Sequence, residues 1–87
     1  MEQIEYFKWK AGIYRDRIVS LLKDMEAFKE ELEFFENAID KVSGDGQLNY
    51  LRKEAEICRN KITYRSEKIV ELNKELEVIE SIINEIG

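Results

Sequence analysis

Residues 43–47 read Ser43-Gly44-Asp45-Gly46-Gln47, and this stretch decides the fold. It is the only turn-like cluster in the chain. On either side of it, apolar residues recur three and four apart. Before it stand Ile4, Phe7, Ala11, Tyr14, Ile18, Leu21, Met25, Phe28, Leu32, Phe35, Ile39 and Val42. After it stand Leu48, Leu51, Ala55, Cys58, Ile62, Arg65, Ile69, Leu72, Leu76, Ile79, Ile83 and Ile86. Arg65 alone breaks the apolar rule. A seam with this alternation keeps one stripe of a helix turned toward a partner helix. The pattern predicts helix 1 over about residues 3–42, a loop over 43–47 and helix 2 over about 47–86. Each helix is then roughly 60 Å long at 1.5 Å per residue. Gly44 is expected to take the left-handed conformation that ends helix 1, and Asp45 to cap helix 2. Gly12 can bend or split helix 1, since Gly costs about 1 kcal/mol inside a helix. The alternative is then a separate short helix over residues 2–11.

A loop this short makes the helices antiparallel neighbours, and charge supplies an independent reason. Residues 8–23 are basic (Lys8, Lys10, Arg15, Arg17, Lys23) and residues 24–40 acidic (Asp24, Glu26, Glu30, Glu31, Glu33, Glu36, Asp40). Helix 2 repeats the order: residues 50–66 carry Arg52, Lys53, Arg59, Lys61 and Arg65, and residues 67–82 are mainly acidic. Folding back at the loop sets base against acid in both blocks. The expected flanking pairs are Glu31 with Lys61, Asp24 with Lys68, Arg17 with Glu75, Glu36 with Arg52 and Lys8 with Glu80, with Lys29 opposite Arg59 as a clash. Each exposed pair contributes only about 0–1 kcal/mol, so the set selects orientation more than it stabilises. The fold class expected is all-α: one domain over 1–87, a long antiparallel helical hairpin of coiled-coil type, pairing into a four-helix bundle.

Composition narrows the function. The chain has 87 residues, no Pro, 38% charged residues and a net charge of −5. That suits long helices and argues against general affinity for nucleic acid or an anionic membrane. Histidine is absent and Cys58 is the single cysteine. A zinc site would need carboxylates alone and is not expected, the commonest general base is missing, and no intramolecular disulfide can form. With no apolar run suited to a signal peptide or a membrane span, a cytoplasmic location is expected. The abundant carboxylates lack the environment that separates their pKa values for acid–base work. Gly44-Asp45-Gly46 lacks the Lys and Ser or Thr of a phosphate loop. No catalytic residue, no metal and no cofactor is expected.

A two-stranded coil needs apolar residues only at its seam, and this chain has more. Helix 1 adds Tyr6, Ile13, Ala27 and Phe34 at one recurring flanking position, with Trp9 nearby. Helix 2 adds Tyr50, Ile57, Tyr64 and Val78 at the equivalent position, plus Ile82. In an antiparallel hairpin these rows share one broad side. The opposite side is charged apart from Val19, Leu22 and Val70. An apolar face of this length calls for a cover. The candidates are a second copy, a partner protein, or the N-terminal segment folded back at Gly12.

Two basic groupings carry further readings. Arg65 faces Met25 at the seam, where its stem packs and its head reaches Asp24 or another acid. Alternatively Lys61, Arg65 and Lys68, with Tyr64, form an anion-binding recess, since Arg matches phosphate oxygens by its forked geometry. Lys8-Trp9-Lys10 and Tyr14-Arg15-Asp16-Arg17 interleave base and aromatic as nucleic-acid binders do. In an acidic chain they read better as seam and flank, with Trp9 and Phe34 as protein-binding anchors.

Glu5-Tyr6-Phe7, then Tyr14-Arg15-Asp16-Arg17-Ile18, then residues 69–76 (Ile-Val-Glu-Leu-Asn-Lys-Glu-Leu) resemble the helical N-terminal part of small phage late-gene transcriptional regulators. That resemblance implies a component of a transcriptional regulator. The hairpin layout with Tyr64-Arg65 and Lys68-Ile69 is similar to phage anti-defence proteins, short oligomeric helical hairpins that sequester cyclic-nucleotide signals. That one implies an oligomer holding a nucleotide-type ligand. The leading expectation is a small non-enzymatic interaction protein, phage- or mobile-element-borne. It pairs with itself and covers a partner protein through Tyr6, Trp9, Ile13, Phe34, Tyr50, Ile57, Tyr64, Val78 and Ile82.

Overall fold

The computed structural model describes residues 2–87; Met1, included in the single domain expected over 1–87, lies outside the described residues. Two helices account for nearly all of them: α1, Gln3–Ile39, and α2, Asp45–Ile86. They pack against each other as an antiparallel hairpin, a rod of 63 × 16 × 15 Å. No strand occurs among the described residues.

The seam forms where the apolar spacing places it. Every seam position of α1, and Val42 just beyond it, is buried or half-buried. So is every seam position of α2 except Ile86, which is exposed where the rod ends. The buried side chains are few and mostly small: Ala11, Ala55, Cys58, Leu72 and Ile79. Two helices alone can shield only the centre line of their contact, so the larger seam residues keep one flank open to water.

The turn departs from expectation in three ways. α1 stops at Ile39 instead of continuing to residue 42, because the chain tightens there: the Lys41 N–H donates to the Ala38 carbonyl at 3.1 Å, a three-residue closure. α2 starts at Asp45, earlier than residue 47, with Gly46 inside its first turn. Gly44 is not left-handed. Its φ of −76° and ψ of 132° are extended, and it occupies the N-cap place expected of Asp45. Leu48 N–H donates to the Gly44 carbonyl at 2.9 Å, opening the helix. Asp45 instead lies in the first turn, where its charge still favours the positive end of the helix.

Gly12 does not split α1, which runs unbroken through it. The short helix over 2–11 and the fold-back it would permit are not formed. None of the five expected flanking pairs is formed among the described residues: Glu31 and Lys61, like Arg17 and Glu75, make no ion pair, Asp24 meets Arg65 in place of Lys68, and two pairs engage the neighbour one heptad along. Arg15 meets Glu80 at 2.9 Å in place of Lys8, and Arg59 meets Glu36 at 3.4 Å in place of Arg52. That choice turns Arg59 to an acid, so the expected clash with Lys29 is not how it is used.

Candidate interaction surface

Both apolar rows stand open to solvent on one broad side of the hairpin. On α1, Phe34 is 67% exposed and Trp9 56%, with Tyr6 and Ile13 also open. On α2, Tyr64, Tyr50 and Val78 are each about 60% exposed, and Ile57 is open too. Ile82 departs from this set. It is half-buried, because it lies on the helix between the flanking row and the seam. Residues seven apart on a straight helix share one face, which is why these side chains line up.

Aromatic rings gather at the two ends of this side. Tyr6 lies 6.0 Å from Trp9 and 5.3 Å from the seam residue Phe7. The Lys10 ammonium stands 5.9 Å from the Tyr6 ring and 6.0 Å from the Tyr14 ring. Near the loop, Phe34 and Phe35 meet edge to face at 5.6 Å. Next to the open end a groove of ≈ 400 Å³ runs between the helices, lined by Phe7, Tyr14, Val78 and Ile82 with Lys10 and Glu75. The Glu75 carboxylate beside it raises the Tyr14 pKa above the ordinary 10.0, since it favours the neutral phenol over a second negative charge, and burial adds to the effect. On the opposite side Val19, Leu22 and Val70 are each about half exposed and form a smaller patch.

The three cations singled out for anion binding are drawn to different partners. Arg65 places its guanidinium 4.5 Å from the Phe28 ring centre, and Lys61 stands 5.0 Å from the same ring. Arg65 also donates to the Lys61 carbonyl at 3.1 Å and lies 3.7 Å from Asp24. Its Nε is buried with no hydrogen-bond partner. Lys68 turns along its own helix to Glu71 at 3.4 Å. The hollow nearest this group, ≈ 200 Å³, is lined by Arg17, Ser20, Leu21, Tyr64 and Lys68. Arg17 and Ser20 were not among the candidates, because only the folded register carries them across from α1. Phe28 was also missed as the ring that holds both Lys61 and Arg65.

Cys58 is enclosed at the seam and unpaired. Burial pushes its thiol above the ordinary 9.0, and Glu31 adds to the effect. Among the described residues, no group of three or more His, Cys, Asp or Glu side chains is placed to hold a metal ion. Among the described residues no helix is long and apolar enough to cross a membrane. Compared with known proteins, the chain matches no family model, no curated protein and no solved structure.

Proposed function

We propose that this protein is a non-enzymatic helical interaction protein whose aromatic side is its working surface. It lies against protein there, pairing with a second copy as a four-helix bundle and covering part of a partner whose contacts it then blocks. The observation that carries this reading is that most of the exposed large apolar side chains gather on one side, Tyr6, Trp9, Ile13, Phe34, Tyr50, Ile57, Tyr64 and Val78, against Val19, Leu22 and Val70 on the other. Aromatic residues dominate the energetics of protein contacts, and apolar faces of this extent are covered in working assemblies. The hairpin adds stiffness, since both rows ride on unbroken helices and need little ordering on contact. A phage or mobile-element source, a cytoplasmic location and a host or defence protein as the partner complete the proposal.

Joint replacement of Trp9 and Phe34 by Ala tests it. Both are exposed helical positions, so helicity by circular dichroism is expected to stay unchanged while self-pairing or partner capture is lost. Full retention of both association properties would falsify the proposal.

A second reading is favoured by the hollow of Arg17, Ser20, Tyr64 and Lys68. Two cations and two hydroxyls suit the phosphate of a nucleotide-type ligand. Such a ligand raises the melting temperature by linkage, and a nucleotide panel without any shift removes this reading.

A further inference from the structure

A hollow of ≈ 430 Å³ opens between the helices near the open end, lined by Lys8, Ala11, Arg15, Glu80, Ile83 and Asn84. It lies on the flank away from the aromatic side, since Lys8 and Arg15 stand across the seam from Lys10 and Arg17. The seam explains why it is there. Every other seam position of α1 carries a large side chain, whereas Ala11 is small and wholly enclosed. The next residue, Gly12, adds no side chain, and a Cβ built there would meet nothing within 4 Å. α1 is therefore thin at this level. Lys8 and Arg15, about one turn to either side, bound the gap on α1, and Glu80, Ile83 and Asn84 bound it on α2.

Donors outnumber acceptors in this hollow. Glu80 holds Arg15 through one oxygen at 2.9 Å, and the arginine side chain stays 55% exposed. That contact engages the one acid of the lining. Lys8, expected opposite Glu80, is left with no ion-pair partner among the described residues. Glu5, three residues before Lys8, neither lines the hollow nor pairs with it. Two cations against one acid leave a local charge of +1 in a chain whose net charge is −5. The Lys8 ammonium, the remaining N–H groups of Arg15 and the Asn84 amide are all donors, and Ile83 and the stems of Lys8 and Arg15 supply carbon beside them.

We infer that this hollow is a binding site for a small monocarboxylate with a short aliphatic body. The carboxylate accepts from Lys8, Arg15 and Asn84, and its carbon chain lies on Ile83. The lining selects this class. A carboxylate matches the planar fork of Arg and gains charge-assisted hydrogen bonds. One negative charge balances the local +1, whereas the second charge of a phosphate dianion is repelled by Glu80 beside it. A cation gains only Glu80, which Arg15 already engages. The volume of ≈ 430 Å³ lies within the range of about 300–1,000 Å³ usual for small-ligand pockets. The site is independent of the aromatic side and of whatever covers it.

Amide chemical shifts of the full chain, titrated with sodium butyrate against sodium chloride at equal concentration, test the site. Saturable shifts are expected at residues 8–15 and 80–84, with residues 22–40 unmoved. Lys8→Gln is expected to weaken butyrate binding about threefold or more. Lys29→Gln is expected to leave it unchanged, because Lys29 is an exposed cation on the same row, three heptads along, with no ion-pair partner among the described residues. Lys8 and Lys29 are both exposed, so circular dichroism is expected to show unchanged helicity in each variant. Absent or non-saturating shifts, shifts that chloride reproduces, or native affinity in Lys8→Gln would overturn the site. Equal weakening by Lys29→Gln would overturn it too, by showing general attraction to the chain. Sodium phosphate is expected to bind more weakly than butyrate at the same pH; phosphate binding as tight or tighter would overturn the monocarboxylate assignment.

Discussion

Replacing Arg65 by Leu is expected to stabilise the hairpin, although it deletes an ion pair and a cation–ring contact. Arg65 holds a seam position with its side chain 23% exposed, and its buried Nε has no hydrogen-bond partner, only the Asp24 carboxylate beyond bonding distance at 3.7 Å. A buried unsatisfied donor costs about 1–3 kcal/mol, and Leu removes it. The contact with Asp24 is 3.7 Å long, and Asp24 is half in water, so its loss costs about 0–1 kcal/mol. Losing the stack on Phe28 at 4.5 Å costs about 1 kcal/mol. The bond to the Lys61 carbonyl is a small loss, because that carbonyl lies within the ladder of α2. The arginine stem already covers apolar surface, so Leu adds about one methyl-sized group of burial, near 0.8 kcal/mol. The net is a gain of about 1 kcal/mol, or roughly 4–8 °C in Tm for a domain of this size. Urea and thermal denaturation followed by circular dichroism, at one fixed protein concentration, measure it. A loss of 1 kcal/mol or more would show that Arg65 contributes more through Asp24 and Phe28 than its orphaned nitrogen costs.

Two further outcomes follow from single residues. Gly12→Ala is expected to stabilise by about 0.5–1 kcal/mol, since Gly12 is helical and an added Cβ meets nothing within 4 Å; a drop in Tm would refute it. The Cys58 thiol, held above its ordinary 9.0 by burial and then Glu31, is expected to alkylate at pH 8 about tenfold or more slowly in the native chain than in denaturant. A raised folded pKa favours the thiol in the fold. That contribution is whole below 9.0 and is lost as pH rises through the folded value, so stability falls on the alkaline side and Cys58→Ala flattens the slope. Equal alkylation rates in the two states would contradict the enclosure of this residue.

Much of the fold was legible because a helix repeats its face at a fixed spacing. Ile4 through Val42 and Leu48 through Ile83 could be assigned to the seam by counting, and all are at least half-buried. The same counting found the open rows from Tyr6 to Phe34 and from Tyr50 to Val78. It went wrong where a residue does more than keep the period. Val42 stays on the seam after the helix has ended, so apolar spacing overran the terminus at Ile39. Gly44 suggested a left-handed exit that the three-residue closure at Ala38 makes unnecessary. Charge order gave the orientation, but Arg15 and Arg59 each stand between two acceptable neighbours, and the choice depends on side-chain reach. The setting of Arg65 was half legible. Its reach to Asp24 follows from position, whereas the Phe28 ring between Arg65 and Lys61 depends on how three side chains turn.

The single crossing between the helices also governs how the rod assembles. Touching residues near the turn, such as Glu36 and Arg59, are 23 positions apart along the chain, while Arg15 and Glu80 at the far end are 65 apart. The entropic cost of bringing contacts together rises with that separation. The hairpin is therefore expected to close like a zip from residues 40–44 outward, its far end last to lock and first to fray. Amide protection should decline steadily along both helices toward Ile4 and Ile86, leaving Tyr6 and Trp9 on the most yielding stretch of the molecule.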